Sequence, residues 1–184
     1  RVVTDAVHAE GGKIAMQILH TGRYAYNPAA VAPSAIQAPI NPFKPKELDA
    51  DGIDKQIADF VNAATLAQKA GYDGVEIMGS EGYLLNQFIA ARTNHRDDEY
   101  GGSLENRGRF AREIIAAARA EVGENFPILF HYSQWKQQEY TARLVESPAE
   151  LTEFLSPLSD AGVDIFHCST RRFWEPEFDG SELN

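Results

Sequence analysis

Apolar residues follow two alternating rhythms along this chain. Four short runs rich in apolar residues read as buried strands: Lys13 to Leu19 (KIAMQIL), Tyr72 to Met78 (YDGVEIM), Pro127 to Ser133 (PILFHYS) and Val163 to Cys168 (VDIFHC). Between them the apolar positions return every third or fourth residue. Ile53, Ile57, Phe60, Val61, Ala64 and Ala67 predict a helix over Asp51 to Ala70, closed by Gly71. Phe110, Ile114, Ile115 and Ala118 predict another over Ser103 to Val122, with Ser103 as its N-cap. A third is expected over Ser147 to Ala161, opened by Ser147 with Pro148 and Glu150 in the first turn. Val2 to Ala9 reads as a helix stopped by Gly11 and Gly12, and Tyr83 to Ala91 as a short helix. Tyr24 to Leu48 holds five prolines and little periodicity, which predicts a long loop.

Strands alternating with long amphipathic helices argue parallel βαβ units, but the rhythm alone does not separate a barrel from a doubly wound sheet. At 184 residues, 43% hydrophobic and 24% charged, the chain can bury one core. Its formal charge of −10 leaves no general basic field, which argues against nucleic acid and anionic membrane as partners; a local group of arginines can still hold a phosphorylated ligand. A single cysteine, Cys168, supports neither an internal disulfide nor a cysteine-held iron–sulfur cluster within this chain. Without a long apolar run or a signal-peptide pattern, the expected location is cytoplasmic. The chain opens at Arg1, already inside a helical pattern, which reads as a fragment.

Polar residues concentrate after the second strand, within Gly71 to Arg107. Glu81 and Tyr83 follow two glycines, and then comes the run Asn94, His95, Arg96, Asp97, Asp98, Glu99. Loops at the C-terminal ends of strands are where α/β proteins carry their chemistry. His20 and Arg23 follow the first strand, and structural pairing is the expected role of both. No two histidines have metal-ligand spacing, so no metal site is expected.

VEIMGSEGYLLNQFIAARTNHRDDEYGGSLENR resembles the flavin-dependent Old Yellow Enzyme family of NADH:flavin oxidoreductases, and its MGSEGY tract is similar to the 2,4-dienoyl-CoA reductase branch. QILHTGR, Gln17 to Arg23, resembles the flavin-side strand of the same family, whereas SQWKQQEY and FHCSTRRFWEPEF look like another branch. The resemblance implies a (β/α)8 TIM barrel. This chain would be a single partial FMN-binding domain over residues 1–184, covering strands three to six. Such a sector leaves edges and an apolar face that need self-association or the missing half barrel.

The implied activity is reduction of an activated C=C bond of an enoyl or dienoyl thioester or an enone, with FMN as cofactor and NAD(P)H as electron donor. Hydride would come from flavin N5 and the proton from Tyr83, a phenol suited to general-acid work. Gln17 matches the glutamine on the flavin pyrimidine edge. His131 stands where the family usually has an arginine aimed at the flavin, a shorter and only partly charged substitute. Met78 and Glu81 fall where the wider family has a His-x-x-Asn or His-x-x-His pair, which leaves Glu81 to tune Tyr83 or sit near the thioester. Arg171 and Arg172 are candidates for substrate contact. Asn94, Arg96, Asp98 and the YGGS turn are expected to form an ion-pair and capping network. Two other readings are an inactive barrel fragment without cofactor and a flavin-free aldolase or lyase using Lys136.

Overall fold

A computed structural model describes residues 1–136, 139–170, 174–176, 178 and 180. In chain order these form α1 (Val2–Ala9), β1 (Ala15–Ile18), a 3-10 turn (Gly22–Tyr24), β2 (Val31–Ala32), β3 (Lys46–Glu47), α2 (Ala50–Lys69), β4 (Gly74–Met78), α3 (Leu84–Ile89), α4 (Leu104–Val122), β5 (Ile128–Ser133), β6 (Trp135–Lys136), β7 (Glu139–Arg143), α5 (Pro148–Asp160) and β8 (Ile165–Ser169). Among the described residues no helix is long and apolar enough to cross a membrane.

The four expected strands, β1, β4, β5 and β8, pair in parallel and in chain order. That order decides the question the periodicity left open. A doubly wound sheet reverses its strand order at a switch point and carries helices on both faces. Here Val75, Ile77, Ile128, Phe130 and Tyr132 are buried in one core with the apolar faces of α2 to α5, while Gln17, Ile165 and His167 on the opposite face stay exposed. The architecture is a sector of a (β/α) barrel, helices outside and the barrel-lining face open. The core is built around Phe88, Phe110 and Phe130, each fully buried. Such a side chain contributes roughly 1.5–3 kcal/mol, and the Phe88 and Phe110 rings lie 4.2 Å apart.

The bottom of the sheet is closed by one device used twice. Asp73, just before β4, accepts the backbone N–H of Ile14 at 2.9 Å, and Asp164, just before β8, accepts that of Ile128 at 2.7 Å. Asp73 also pairs with Lys13 and shares a hydrogen bond with His8, and Asp164 pairs with Arg119. Each thereby fixes the start of the neighbouring strand.

Ser103 and Ser147 cap their helices as expected, accepting from Asn106 and Glu150. The start of α2 differs: Asp49 caps it, accepting from Gly52 at 2.9 Å, so the helix begins at Ala50. The stretch from Tyr24 to Leu48 is also more ordered than its prolines suggested. β2 and β3 pair in parallel within it, and buried Asn41 donates to the carbonyls of Arg23 and Ala25 at 3.1 and 2.6 Å. Strands of two residues are too short to show a period. The mainly polar β6 and β7, which form an antiparallel pair after β5, show none either.

Candidate active site

Strand β4 runs into a tight turn that sets the site. Gly79 must be glycine: a Cβ there would lie 2.2 Å from the ring of fully buried Phe130. Its N–H still donates to the His131 carbonyl at 2.8 Å, carrying strand pairing one residue further. Glu81 and Gly82 then both adopt left-handed backbone, φ 58° and 78°, and the Tyr83 N–H returns to the Ser80 carbonyl at 3.2 Å. Such a conformation is free for glycine but costs a side-chain-bearing residue about 1 kcal/mol or more. Glu81 is held there by its neighbours.

The turn delivers Tyr83 as the residue preceding α3, a helix whose six residues are all buried. The Tyr83 ring is half-buried, edge-on to Tyr24 with centroids 6.2 Å apart. Among the described residues its hydroxyl makes no hydrogen bond. Gln87 of α3 ties the region together, accepting from Arg23 N–H and donating to the carbonyls of Thr21 and Gly82.

The barrel-lining face carries a second polar group. Glu76 from β4 accepts the Gln17 amide of β1 at 2.6 Å and stands 2.7 Å from Nδ1 of His167 of β8. His131 of β5 stacks on His167, centroids 4.0 Å apart and planes 13° from parallel. Its Nε2 meets the Ser169 hydroxyl at 2.7 Å, while its Nδ1, 3.5 Å from Glu76, is buried without a hydrogen bond. Burial acts to raise the Glu76 carboxyl, but bonds from Gln17 and His167 outweigh it and hold the group below its ordinary value. His131 is pushed below the ordinary imidazole value, by burial first and by His167 next, with Glu76 and then Glu81 opposing the shift.

Histidine spacing gave no sign that Glu76, His131 and His167 would converge, because the three come from three strands brought together by register. Alternation within VEIM, ILFHY and IFHC was the available signal, since it puts all three on the face that also carries Gln17. Nearly parallel stacked rings send their lone pairs side by side rather than to one point, so the arrangement suits proton sharing better than coordination.

Of the other expected site residues, Glu81 lies in electrostatic reach of His131. Arg171 and Arg172 lie outside the described residues, as does the side chain of Lys136. His20 is paired as expected, its Nδ1 accepting from Gly22 N–H at 3.0 Å. Arg23 lies over the Tyr24 ring, its guanidinium carbon 5.5 Å from the centroid, and its Nε is buried with no hydrogen bond. Arg96 pairs with Asp98 and bonds the carbonyls of Pro33 and Leu48. That network joins two loops, and Ser103, the last residue of the YGGS turn, supplies the expected cap of α4.

The chain as a whole resembles known proteins. The profile of the NADH:flavin oxidoreductase / NADH oxidase family matches residues 1–177. The chain is 40% identical over 172 residues to an NADH oxidase of Thermoanaerobacter brockii, covering 91% of this chain and 26% of that protein. Among solved structures it is similar to the old yellow enzyme homologue of Zymomonas mobilis, with TM-score 0.80 and 33% identity over 90% of this chain and 50% of that one. It is also similar to a 2-naphthoyl-CoA reductase in complex with 2-naphthoyl-CoA, with TM-score 0.78 and 30% identity over 97% of this chain and 29% of that one. The chain thus spans half or less of the length of each of these three.

Proposed function

Because the chain belongs to the NADH:flavin oxidoreductase / NADH oxidase family, which includes the Old Yellow Enzymes, we propose that it forms the substrate-facing sector of an FMN-dependent ene-reductase. The reaction would use NAD(P)H to reduce an activated C=C bond, in an enoyl or dienoyl thioester or an enone. Likeness to the 2-naphthoyl-CoA reductase complex favours the thioester.

The open face fits a flavin. Gln17 commits one N–H to Glu76 and keeps a carbonyl oxygen and a second N–H for a ring edge that needs both acceptor and donor. His131 brings a buried Nδ1 with no hydrogen bond. FMN, when bound, would supply the hydride at its N5. Gln17 and His131 would hold its ring edge, His131 as a mostly neutral group with none of the fixed charge of an arginine. Glu76 orients His167 and the Gln17 amide. Glu81 would sit toward the substrate and bias the charge of His131.

The observation that carries this reading is the Tyr83 hydroxyl. It is delivered at the end of β4 by a strained turn, steadied by Tyr24, and committed to no other described group. A proton donor for a substrate carbon needs that freedom. In a complete barrel carrying this segment, Tyr83→Phe should slow substrate reduction while leaving flavin reduction by the nicotinamide nearly intact. Equal loss in both half-reactions would remove Tyr83 from the mechanism.

A further inference from the structure

Beside Tyr83, and outside the flavin-facing group, lies a cleft of about 190 Å³ walled by the Gly22–Tyr24 turn, α3 with the residues after it, and the end of β7. Four arginines line it, Arg23, Arg92, Arg107 and Arg143, against one carboxylate, Glu81. In a chain of formal charge −10 this concentration of cations is local and out of keeping with the rest of the surface. Two of the four stand out. Arg23 has its Nε buried with no hydrogen-bond acceptor, and among the described residues its guanidinium meets only the Tyr24 ring, 5.5 Å from the centroid. Arg107 donates only to the backbone carbonyls of Ile89 and Gly102. No carboxylate among the described residues neutralises it, and burial alone pulls its guanidinium below the ordinary value.

The guanidinium groups of Arg23 and Arg107, which line one cavity without a carboxylate partner among the described residues, fit an oxyanion. Two planar forks on one cavity suit the charge and multiple acceptor oxygens of a phosphate better than a lone carboxylate. The cleft also reaches the chemistry, since Tyr24 and Gly82 line it and Tyr24 packs edge-on against Tyr83. We propose that this cleft binds a phosphate group on the nucleotide portion of a reactant, with Arg23 and Arg107 as its principal contacts. Two reactants of the proposed reaction carry such a group, a coenzyme A thioester and NADPH. The assignment rests on the reductase reading for the choice of ligand, but phosphate binding itself is measurable without turnover.

The test is calorimetric titration of the 184-residue chain at low ionic strength with four probes: coenzyme A, dephospho-coenzyme A, NADPH and NADH. Binding of coenzyme A with at least tenfold weaker binding of its dephospho form assigns the cleft to the thioester. The same contrast between NADPH and NADH assigns it to the electron donor. Arg23→Gln should weaken the preferred ligand about tenfold to a hundredfold, the effect of losing a charge-assisted hydrogen bond. The melting temperature of the ligand-free variant should stay unchanged or rise, because an unpaired buried donor is removed. Arg107→Lys keeps the charge but loses the fork, and should weaken binding while retaining its salt dependence. Equal affinity for phosphorylated and dephosphorylated partners overturns the proposal, and so does absence of binding by all four. A fall in ligand-free melting temperature for Arg23→Gln with unchanged affinity would make Arg23 structural and likewise overturn it. Phosphate-dependent binding together with equal loss of both half-reactions in Tyr83→Phe would keep the site and discard the Tyr83 mechanism.

Discussion

Arg96→Ala should destabilise the chain by about 3–4 kcal/mol and loosen the site from a distance. The Arg96 side chain is 7% exposed. Its Nη1 donates to the carbonyls of Pro33 at 3.0 Å and Leu48 at 2.6 Å, and its Nε and Nη2 grip the Asp98 carboxylate. Losing the donor to two largely buried carbonyls costs about 1–1.5 kcal/mol each. Asp98 is 37% exposed and also accepts Tyr100 N–H. The ion pair is therefore screened and adds only about 1 kcal/mol. The loop between Tyr24 and Leu48 would lose its anchor. Through Asn41 that loop holds the Arg23 and Ala25 carbonyls, and with them the Tyr24 ring that packs on Tyr83. Urea unfolding followed by far-ultraviolet circular dichroism measures the cost, with Asp98→Asn as the companion variant. Asp98→Asn keeps an acceptor and both loop carbonyl bonds, so it should cost about 1 kcal/mol. If the two variants cost the same, or if Arg96→Ala costs under about 1 kcal/mol, the carbonyl bonds do not hold the loop.

Acid should weaken the fold in two stages. His20 and His131 are held below the ordinary imidazole range, each mainly by burial. The unfolded chain takes up protons that the folded chain resists, so their contribution is complete above about pH 6.5 and is lost as pH falls through their folded values. Glu76 and Asp98, also lowered, extend the loss below about pH 4.5. A lower urea midpoint at about pH 5.5 than at about pH 7.5 is expected, the difference shrinking in a His20→Gln/His131→Gln double variant; equal midpoints would refute it. In a complete barrel, His131→Arg should strengthen FMN retention, read by fluorescence titration, and unchanged affinity would mean that the side chain does not meet the flavin. The 184-residue chain by itself should self-associate, because Ile165 and Leu19 on its open face are 51% and 40% exposed and β1 and β8 each present an unpaired edge. Light scattering showing a monodisperse monomer that also holds stoichiometric FMN would contradict this.

Much of the fold was legible because it depends on periodic signals. Each barrel strand lies within the apolar run that predicted it or within one residue of it, and serine caps mark the starts of α4 and α5. The start of α2 lies one residue earlier than its apolar period indicated, because the cap, Asp49, is set by local geometry and not by the period. The position of Tyr83 at the turn after β4 was legible because one short motif fixes it. Contacts that arise from strand register were not legible. Glu76 and His167 are 91 positions apart, yet they share a hydrogen bond because β5 lies between their strands and barrel curvature brings their side chains together. Arg23 and Arg107 likewise come from separate stretches of the chain, one before and one after the polar run. What distinguishes them from surface arginines is the absence of an acceptor or a counter-ion, which no sequence pattern records.

The neutral state of His131 links stability to cofactor retention in opposite senses. A stacked, buried imidazole costs least when uncharged, and the fold favours that form. A flavin ring that gains electron density is stabilised by a nearby positive charge, which a neutral ring does not provide. Glu76 offers a resolution, since its ionised carboxylate can balance one proton on either imidazole, and His167 already makes the shorter contact. A proton on His167 leaves His131 neutral and spends the charge inside the Glu76 pair. A proton on His131 would bring positive charge to the buried member of the stack, against the cost of burial. An arginine in place of His131 would make that charge permanent, keep Glu76 as its balance, and lose the Ser169 bond. His131→Arg should therefore gain flavin affinity at some expense in the stability of the empty fold, and the two measurements should move in opposite directions.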